Sequence, residues 1–442
     1  MSFSFLQFHW LTSYNGVLLN RDDVGLAKRL PFGGVQRTRV SSQCMKYHLR
    51  THQGEGSLRS IEDSSGKDCV PMSQRSRQTF EAHIRKPLEK DGIDLEIATA
   101  VTEALMAMVL GESAKKSANK KDKTESGAGK DEENGHGEGK KKKAKTEAAA
   151  ETQERDKPAA RENLETNQVV VLGRPEVLFL LDQARKIAQR VTKAEDAKKA
   201  AADHFTKDRI ENLRTLKHGA GLDAALFGRM TTSDILARCD AAVHFSHALT
   251  VHGGTHESDY FAVVDELSQT EAQRKMGSGH IGTSELTSGL FYGYACVDLP
   301  LLVSNLEGCD RSKWLKASKD LAAEVCARLL KMIATVSPGA KLGSTAPYSR
   351  AEFVMLETGT SQPCTLGNAF LRPVATQPDL LQNTYAAVTE YLHASDQMYG
   401  KSNTRRFAAI RPSNGLHEVA EVEERGVLGL IEWVRHQITE AR

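Results

Sequence analysis

The 442-residue chain is poor in aromatic side chains (6%), tryptophan (3) and proline (12), and its formal net charge is only +2. Each shortage excludes something. No apolar run approaches the roughly 18 residues of a membrane span. The N-terminus MSFSFLQFHW lacks the basic flank of a signal peptide, so a cytoplasmic location without membrane contact is expected. The seven cysteines (Cys44, Cys69, Cys239, Cys296, Cys309, Cys326, Cys364) are odd in number, spread widely and never in C-x-x-C, which argues against a disulfide framework or a zinc ribbon. Neither a G-x-S-x-G elbow nor a G-x-x-x-x-G-K-[ST] loop occurs. The usual hydrolase and NTPase signatures are therefore missing, which favours binding over catalysis.

A hydrophobic content of 40% suits a globular protein with room for two or three domains, or one domain with large insertions. The near-neutral total conceals an uneven distribution of charge. Residues 113–163 hold no Val, Ile, Leu, Met, Cys or aromatic residue, cannot bury a core, and read as a disordered, mixed-charge insertion. By contrast, residues 20–50 carry Arg21, Lys28, Arg29, Arg37, Arg39, Lys46 and Arg50 against only Asp22 and Asp23. That local excess fits a phosphate-binding footprint. In FGGVQRTRVSSQCMKYHLR the glycine pair turns the chain, Arg37 and Arg39 alternate along a strand and point one way, and Ser41 or Ser42 caps a helix. Lys46 and Arg50 then share a helix face at i, i+4, beside a helix N-terminus that attracts anions.

Elsewhere FLQFHWL, LFYGYACVD and FVML read as strands, and LEIATAVTEALMAMVL as an apolar helix. LLDQARKIAQRV places Leu180, Ala184, Ile187 and Val191 on one helix face, and a polar helix-rich run continues to about His218. Leu381, Tyr385, Val388 and Leu392 fall in helical register, and GLIEWVRHQI closes the chain as a helix. Strands at both ends with helices between indicate an α+β domain interrupted by a helical insertion. GSGHIG at 277–282 fits G-x-G-x-x-G, but the polar SQTEAQRKM before it has no strand character, so a hairpin or loop bend is the better reading. His244, His247, His252 and His256 lack the spacing of a metal site and read as structural or hydrogen-bonding histidines. Asp22 and Asp23 read either as a charge-balanced loop or as Mg²⁺ ligands. Residues 256–286 suggest an exposed hairpin whose apolar side chains need a partner, or else part of the core.

Several blocks in order resemble a known family: LNRDDVGLAKRLPFGGVQRTRVSSQCMKYHLR, GEGSLRSI, GRMTTS at 228–233, FSHALTVH, DYFAVVDEL, GSGHIGTSELTSGLFYGYA, VSPGAK and GNAF. Together they are similar to the CasC family, the type I-E CRISPR-associated Cascade backbone subunit, over most of residues 1–58 and 220–370. The resemblance implies a right-hand shape. An RRM-like (ferredoxin-like) palm would comprise 1–58, 220–252 and 287–442, with helical fingers at 59–219 containing the 113–163 insertion, and a β-hairpin thumb at 253–286. It also implies a non-catalytic protein without cofactor or metal that polymerises along a crRNA and presents it for pairing with target DNA in antiviral defence. Its partners would be crRNA, target DNA, further copies of itself, other Cascade subunits and a recruited helicase-nuclease.

Carried over by motif, Arg21, Lys28, Ser41, Gln43, Lys46, Arg50 and Lys341 would contact guide phosphates, beside the strand arginines Arg37 and Arg39. Met230, Phe261 and Val264 would wedge at a displaced base, and Lys186, Arg190, Lys193, Lys198 and Lys199 would face target DNA. Charge would grip the backbone while base pairing supplies specificity. Tyr47 and His48 depart from the more basic pair expected after Lys46. One alternative is a metal-dependent ribonuclease using Asp22 and Asp23, as in type III relatives of the same hand shape. Another is an RNA-binding structural protein outside CRISPR.

Overall fold

A computed structural model of the chain describes residues 3–54, 56–62, 68–110, 164–166, 169–205, 212–213, 220–229, 236, 239–264, 278–413 and 415–441. The 113–163 insertion, Met230 and the 206–211 and 214–219 parts of the polar run lie outside them. β1 (Phe5–Val17) opens the chain, and β2 (Arg29–Phe32) and β3 (Val35–Val40) form a hairpin that runs into α1 (Ser42–Thr51). Next come β4 (Ser73–Ser76), α2 (Lys86–Lys90), α3 (Leu95–Leu110), β5 (Val170–Gly173), α4 (Arg174–Ala188) and α5 (Ala197–His204). All of these except β4 contribute to an apolar cluster of their own, which includes Phe80, Leu105, Leu180, Ala184, Ile187 and Val191. The four residues that helical spacing puts on one face are all buried there.

α6 (Leu222–Phe227) leads to β6 (Val243–Phe245), β7 (Ala248–Thr250), β8 (Thr255–Val264) and β9 (Ser278–Asp298). After them follow α7 (Leu299–Glu307), α8 (Asp320–Thr335), β10 (Ala351–Gly359), α9 (Leu380–Tyr399), β11 (Thr404–Ala409), β12 (Glu421–Val422) and α10 (Gly426–Thr439). The strands form a ten-stranded sheet in the order β12-β11-β10-β1-β9-β7-β3-β2, with β6 and β8 also paired to β9. β11 and β12 run parallel and the other pairs antiparallel, so the sheet is mixed and the α+β reading holds.

Alternation along the central strands divides the core. Leu6, Phe8, Trp10, Phe291, Ala295, Val354 and Leu356 face a layer built from α1, α7, α8 and α10. Leu11, Tyr292, Tyr294, Phe353, Met355 and Phe407 face α9 through Leu381, Tyr385, Val388 and Leu392. Because both faces are covered, the start of β1 is buried without interruption from Leu6 to Leu11. A buried polar network lies on the α9 side. Glu357 accepts from Gln7 Nε2 (3.2 Å) and Arg405 Nε (2.5 Å), and Arg405 also pairs with Asp396 (2.6 and 2.8 Å). Burial alone would raise the Glu357 carboxyl, yet His9 and Arg405 hold it down at about 2.

Candidate nucleic-acid interface

The basic stretch begins at a turn that requires glycine. Gly33 sits at φ 63°, and a Cβ there would run into the Leu371 carbonyl oxygen. The two strand arginines that follow do not act together. Arg37 is fully buried and donates from Nε to the Phe32 carbonyl (3.2 Å), from Nη1 to Thr250 (3.1 Å) and from Nη2 to Phe370 (2.8 Å). A guanidinium enclosed by three carbonyls is a structural strut with no surface to offer a phosphate, which corrects the expectation drawn from alternation. Arg39 stays at the rim, with Nη1 3.5 Å from His247 Nε2.

The N-terminus of α1 is organised around residues far apart in sequence. Ser41 is the N-cap, its Oγ accepting from the Cys44 N–H (3.3 Å), while its own N–H donates to Asn20 Oδ1 (3.0 Å). The Ser42 N–H donates to His247 Nδ1 (3.0 Å). Burial first, then the charges of Arg39 and Lys28, keep the His247 pKa below its ordinary value, so the ring stays neutral and able to accept. Gln43 is exposed beside this turn. Arg21 and Lys28 sit on the β1–β2 loop, with Arg21 exposed and bridged to Ala27. Within that loop Asp22 Oδ1 accepts from the Val24 (3.1 Å) and Leu26 (2.8 Å) N–H groups, so this carboxylate shapes the turn.

Further along α1, Lys46 and Arg50 share a face as their spacing requires, and that face looks at α6. Lys46 Nζ lies 5.7 Å from the centre of the Phe227 ring, and Arg50 Nε lies 3.9 Å from Asp223 Oδ2. The i, i+4 pair on one helix thus meets an i, i+4 pair on the other, running antiparallel. Burial lowers the pKa of Lys46 and, with Arg75 and Arg59 nearby, that of Arg50. Of the two residues that depart from the expected pattern, Tyr47 is exposed, and His48 Nε2 accepts from the Gly339 N–H (3.4 Å).

That last contact brings in the VSPGAK loop, which is also tied to the end of β1 by the Ala340 N–H donating to the Leu18 carbonyl (2.9 Å). Its Lys341 Nζ stands 4.7 Å over the ring of Phe261 on β8. β8 and β9 form a hairpin, and before Thr287 the only sheet partner of β9 among the described residues is β8. Phe261 lies across Gly282 of β9, where any Cβ would overlap the ring. Val264 ends β8 opposite Ser278. Glu285, buried in β9, ties the hairpin to the basic loop: it accepts from the Ala27 N–H (2.7 Å) and pairs with Arg29. Arg21, Lys28, Arg39, Ser41, Gln43, Lys46 and Lys341 are thereby carried by elements that contact one another.

Lys186, Arg190, Lys193, Lys198 and Lys199 are exposed on α4, α5 and the turn between them, apart from that assembly, with Lys186 paired to Asp182 (2.5 Å). Residues 278–282 of the glycine motif lie inside β9, and no helix opens there. His252 donates from Nδ1 to the Gly253 carbonyl (2.6 Å) and accepts at Nε2 from the Leu290 N–H (3.3 Å), a hydrogen-bonding role like that of His247. Among the described residues no three His, Cys, Asp or Glu side chains gather in a way that could hold a metal ion. No described helix is long and apolar enough to cross a membrane. Asn20, His247, Glu285, Asp223 and Phe227 were missed by sequence reasoning. Only His247 carried any signal, through its place in the histidine run.

The structure defines a class: a mixed α+β protein whose large sheet bears helices on both faces and a basic rim. A family model described as CT1975-like protein matches residues 6–433, and the chain belongs to that family. Its fold is similar to a chain of a structure titled "CRISPR RNA-guided surveillance complex, pre-nicking", with TM-score 0.70 and 23% identity over 98% of this chain and 100% of that one. A chain of a "CRISPR RNA-guided surveillance complex" is similar at TM-score 0.60 and 20% identity, over 98% of this chain and 99% of that one. No protein with a curated description matches the sequence.

Proposed function

We propose that this protein is a Cascade-type CRISPR-associated subunit that binds guide RNA, and specifically a non-catalytic type I-E backbone subunit of the CasC kind. The reading is carried by one observation above others: Lys28, Arg39 and the His247-braced first turn of α1 converge, with Lys46 further along the same helix. Such a rim grips phosphates without reading bases, which suits a protein that leaves the bases free for pairing. Family membership and the likeness to chains of RNA-guided surveillance complexes support the same reading. In it the sheet is the RRM-like palm, the α2–α5 layer the fingers and the β8–β9 hairpin the thumb. Phe261, Val264 and Met230 displace a base, copies assemble along crRNA, and Lys186, Arg190, Lys193, Lys198 and Lys199 meet target DNA. Other Cascade subunits and a recruited helicase-nuclease complete the assembly. A ribonuclease centred on Asp22 is not favoured, because that carboxylate is engaged in the loop turn.

Purifying the chain with its partner subunits and extracting nucleic acid tests the proposal. Small RNA of uniform length is expected, and a preparation without it would count decisively against guide binding. Lys46→Glu should weaken RNA binding and flatten its salt dependence by about 0.7 in log–log slope, the value for one phosphate contact on a single strand. An unchanged slope removes Lys46 from the interface.

A further inference from the structure

Two arginines flank one buried carboxylate at the C-terminal end of α1, and a third adjoins them. Asp223, fully buried in α6, accepts from the Ser73 N–H (2.6 Å) and Oγ–H (2.7 Å), with Arg75 Nη2 3.5 Å and Arg50 Nε 3.9 Å from its Oδ2. Arg59 adjoins them, donating from Nε to the Arg50 carbonyl (3.3 Å). An ion pair joining α1, α6 and β4 needs one arginine per carboxylate. A second and third bring like-charge repulsion, felt by Arg50 from both neighbours after the effect of its own burial. Each guanidinium offers about five N–H donors. Among the described residues the three make only the Arg75–Asp223 and Arg59–Arg50 hydrogen bonds.

The surplus is accessible. Arg59 is exposed and the Arg75 side chain is 35% exposed, while the Arg50 side chain, 15% exposed, lies 5.9 Å from the centre of the Tyr47 ring, itself 56% exposed. Excess guanidinium donors beside an open aromatic face match a single-stranded nucleic acid, whose phosphate takes the donors while a neighbouring base takes the ring.

We propose that Arg59 and Arg75, beside the phosphate contact expected at Arg50, bind a further phosphate of the RNA strand, and that Tyr47 is the stacking platform for the adjacent base. This rests on the RNA-binding reading above and extends it from the N-terminal rim of α1 to the helix's other end, about 15 Å away at 1.5 Å per residue. It assigns a ligand to Tyr47, which departs from the more basic residue expected after Lys46.

The test uses the full chain and fluorescent single-stranded oligouridylate, with binding measured by anisotropy between 50 and 200 mM salt (~fourfold range, over which phosphate contacts are resolved). Arg59→Ala with Arg75→Ala should flatten the log–log salt slope by about 1.4. Arg59→Lys should restore its share of the slope. Tyr47→Ala should weaken binding at least about fivefold, the low end of one lost base stack, with the slope unchanged. Arg75→Ala loosens a contact to buried Asp223, so if that variant melts early the exposed Arg59→Ala alone decides. Unaltered slopes in the arginine variants, with Lys46→Glu still flattening the slope, would overturn this site and leave the RNA reading intact. A wild-type chain that binds no oligouridylate overturns both.

Discussion

At the scale of single residues, a side chain's surroundings decide what its charge can do. Arg37 and Arg39 are two positions apart on one strand, yet one is a fully buried strut on three carbonyls and the other stands at the rim near His247. Alternation along β3 was legible in the sequence, but it says only that the two share a face, not which part of that face is covered. Gly33 was legible too, as a turn residue, for a reason the structure doubles: positive φ and a carbonyl packed where a Cβ would go. Gly33→Ala should therefore destabilise by about 2 kcal/mol or more, the left-handed penalty plus displacement of the Leu371 segment. A lowered denaturant midpoint measures it; an unchanged midpoint would mean that the turn can relax without cost.

At the scale of elements, helix and strand periods carried most of the reading. α3, α4, α9 and α10 lie where their apolar spacing puts them, and Leu381, Tyr385, Val388 and Leu392 are all buried. The basic face of α1 was legible in its spacing, but not that α6 lies against it, because Phe227 and Asp223 are contributed by a helix more than 170 positions away. The β8–β9 hairpin was legible as a hairpin with apolar side chains, whereas the Lys341 stacked on Phe261 was not. Gly282→Ala should push the Phe261 ring off β9 and away from Lys341, forfeiting about 0.5–1 kcal/mol of cation–π attraction. Faster amide exchange across residues 255–264, with the rest of the sheet unchanged, is the expected signature. Exchange that stays as slow as in the parent protein would show that the ring is not held by this contact.

At the scale of the whole molecule, stability depends on a sheet buried on both faces and on the polar network within it. The folded pKa of Glu357, about 2, lies below that of an unfolded carboxyl, so its contribution is complete above about pH 4.3 and is lost as pH falls toward 2. Arg405→Ala should leave Glu357 buried without its closest partner, costing about 3–5 kcal/mol at neutral pH. Denaturant unfolding at pH 7 measures the loss, and acid unfolding of the variant should begin at higher pH than in the parent. What the sequence alone determined is local: which segments are strands and helices, where the chain turns, where charge concentrates and where no core can form. Those properties follow from backbone period, side-chain size and composition within a few residues. Tertiary structure decided which charges remain available, because desolvation and pairing depend on neighbours brought from anywhere in the chain. It enclosed Arg37, braced Ser42 with His247, set Lys46 against Phe227, and brought Arg50 and Arg75 to a single aspartate with Arg59 beside Arg50.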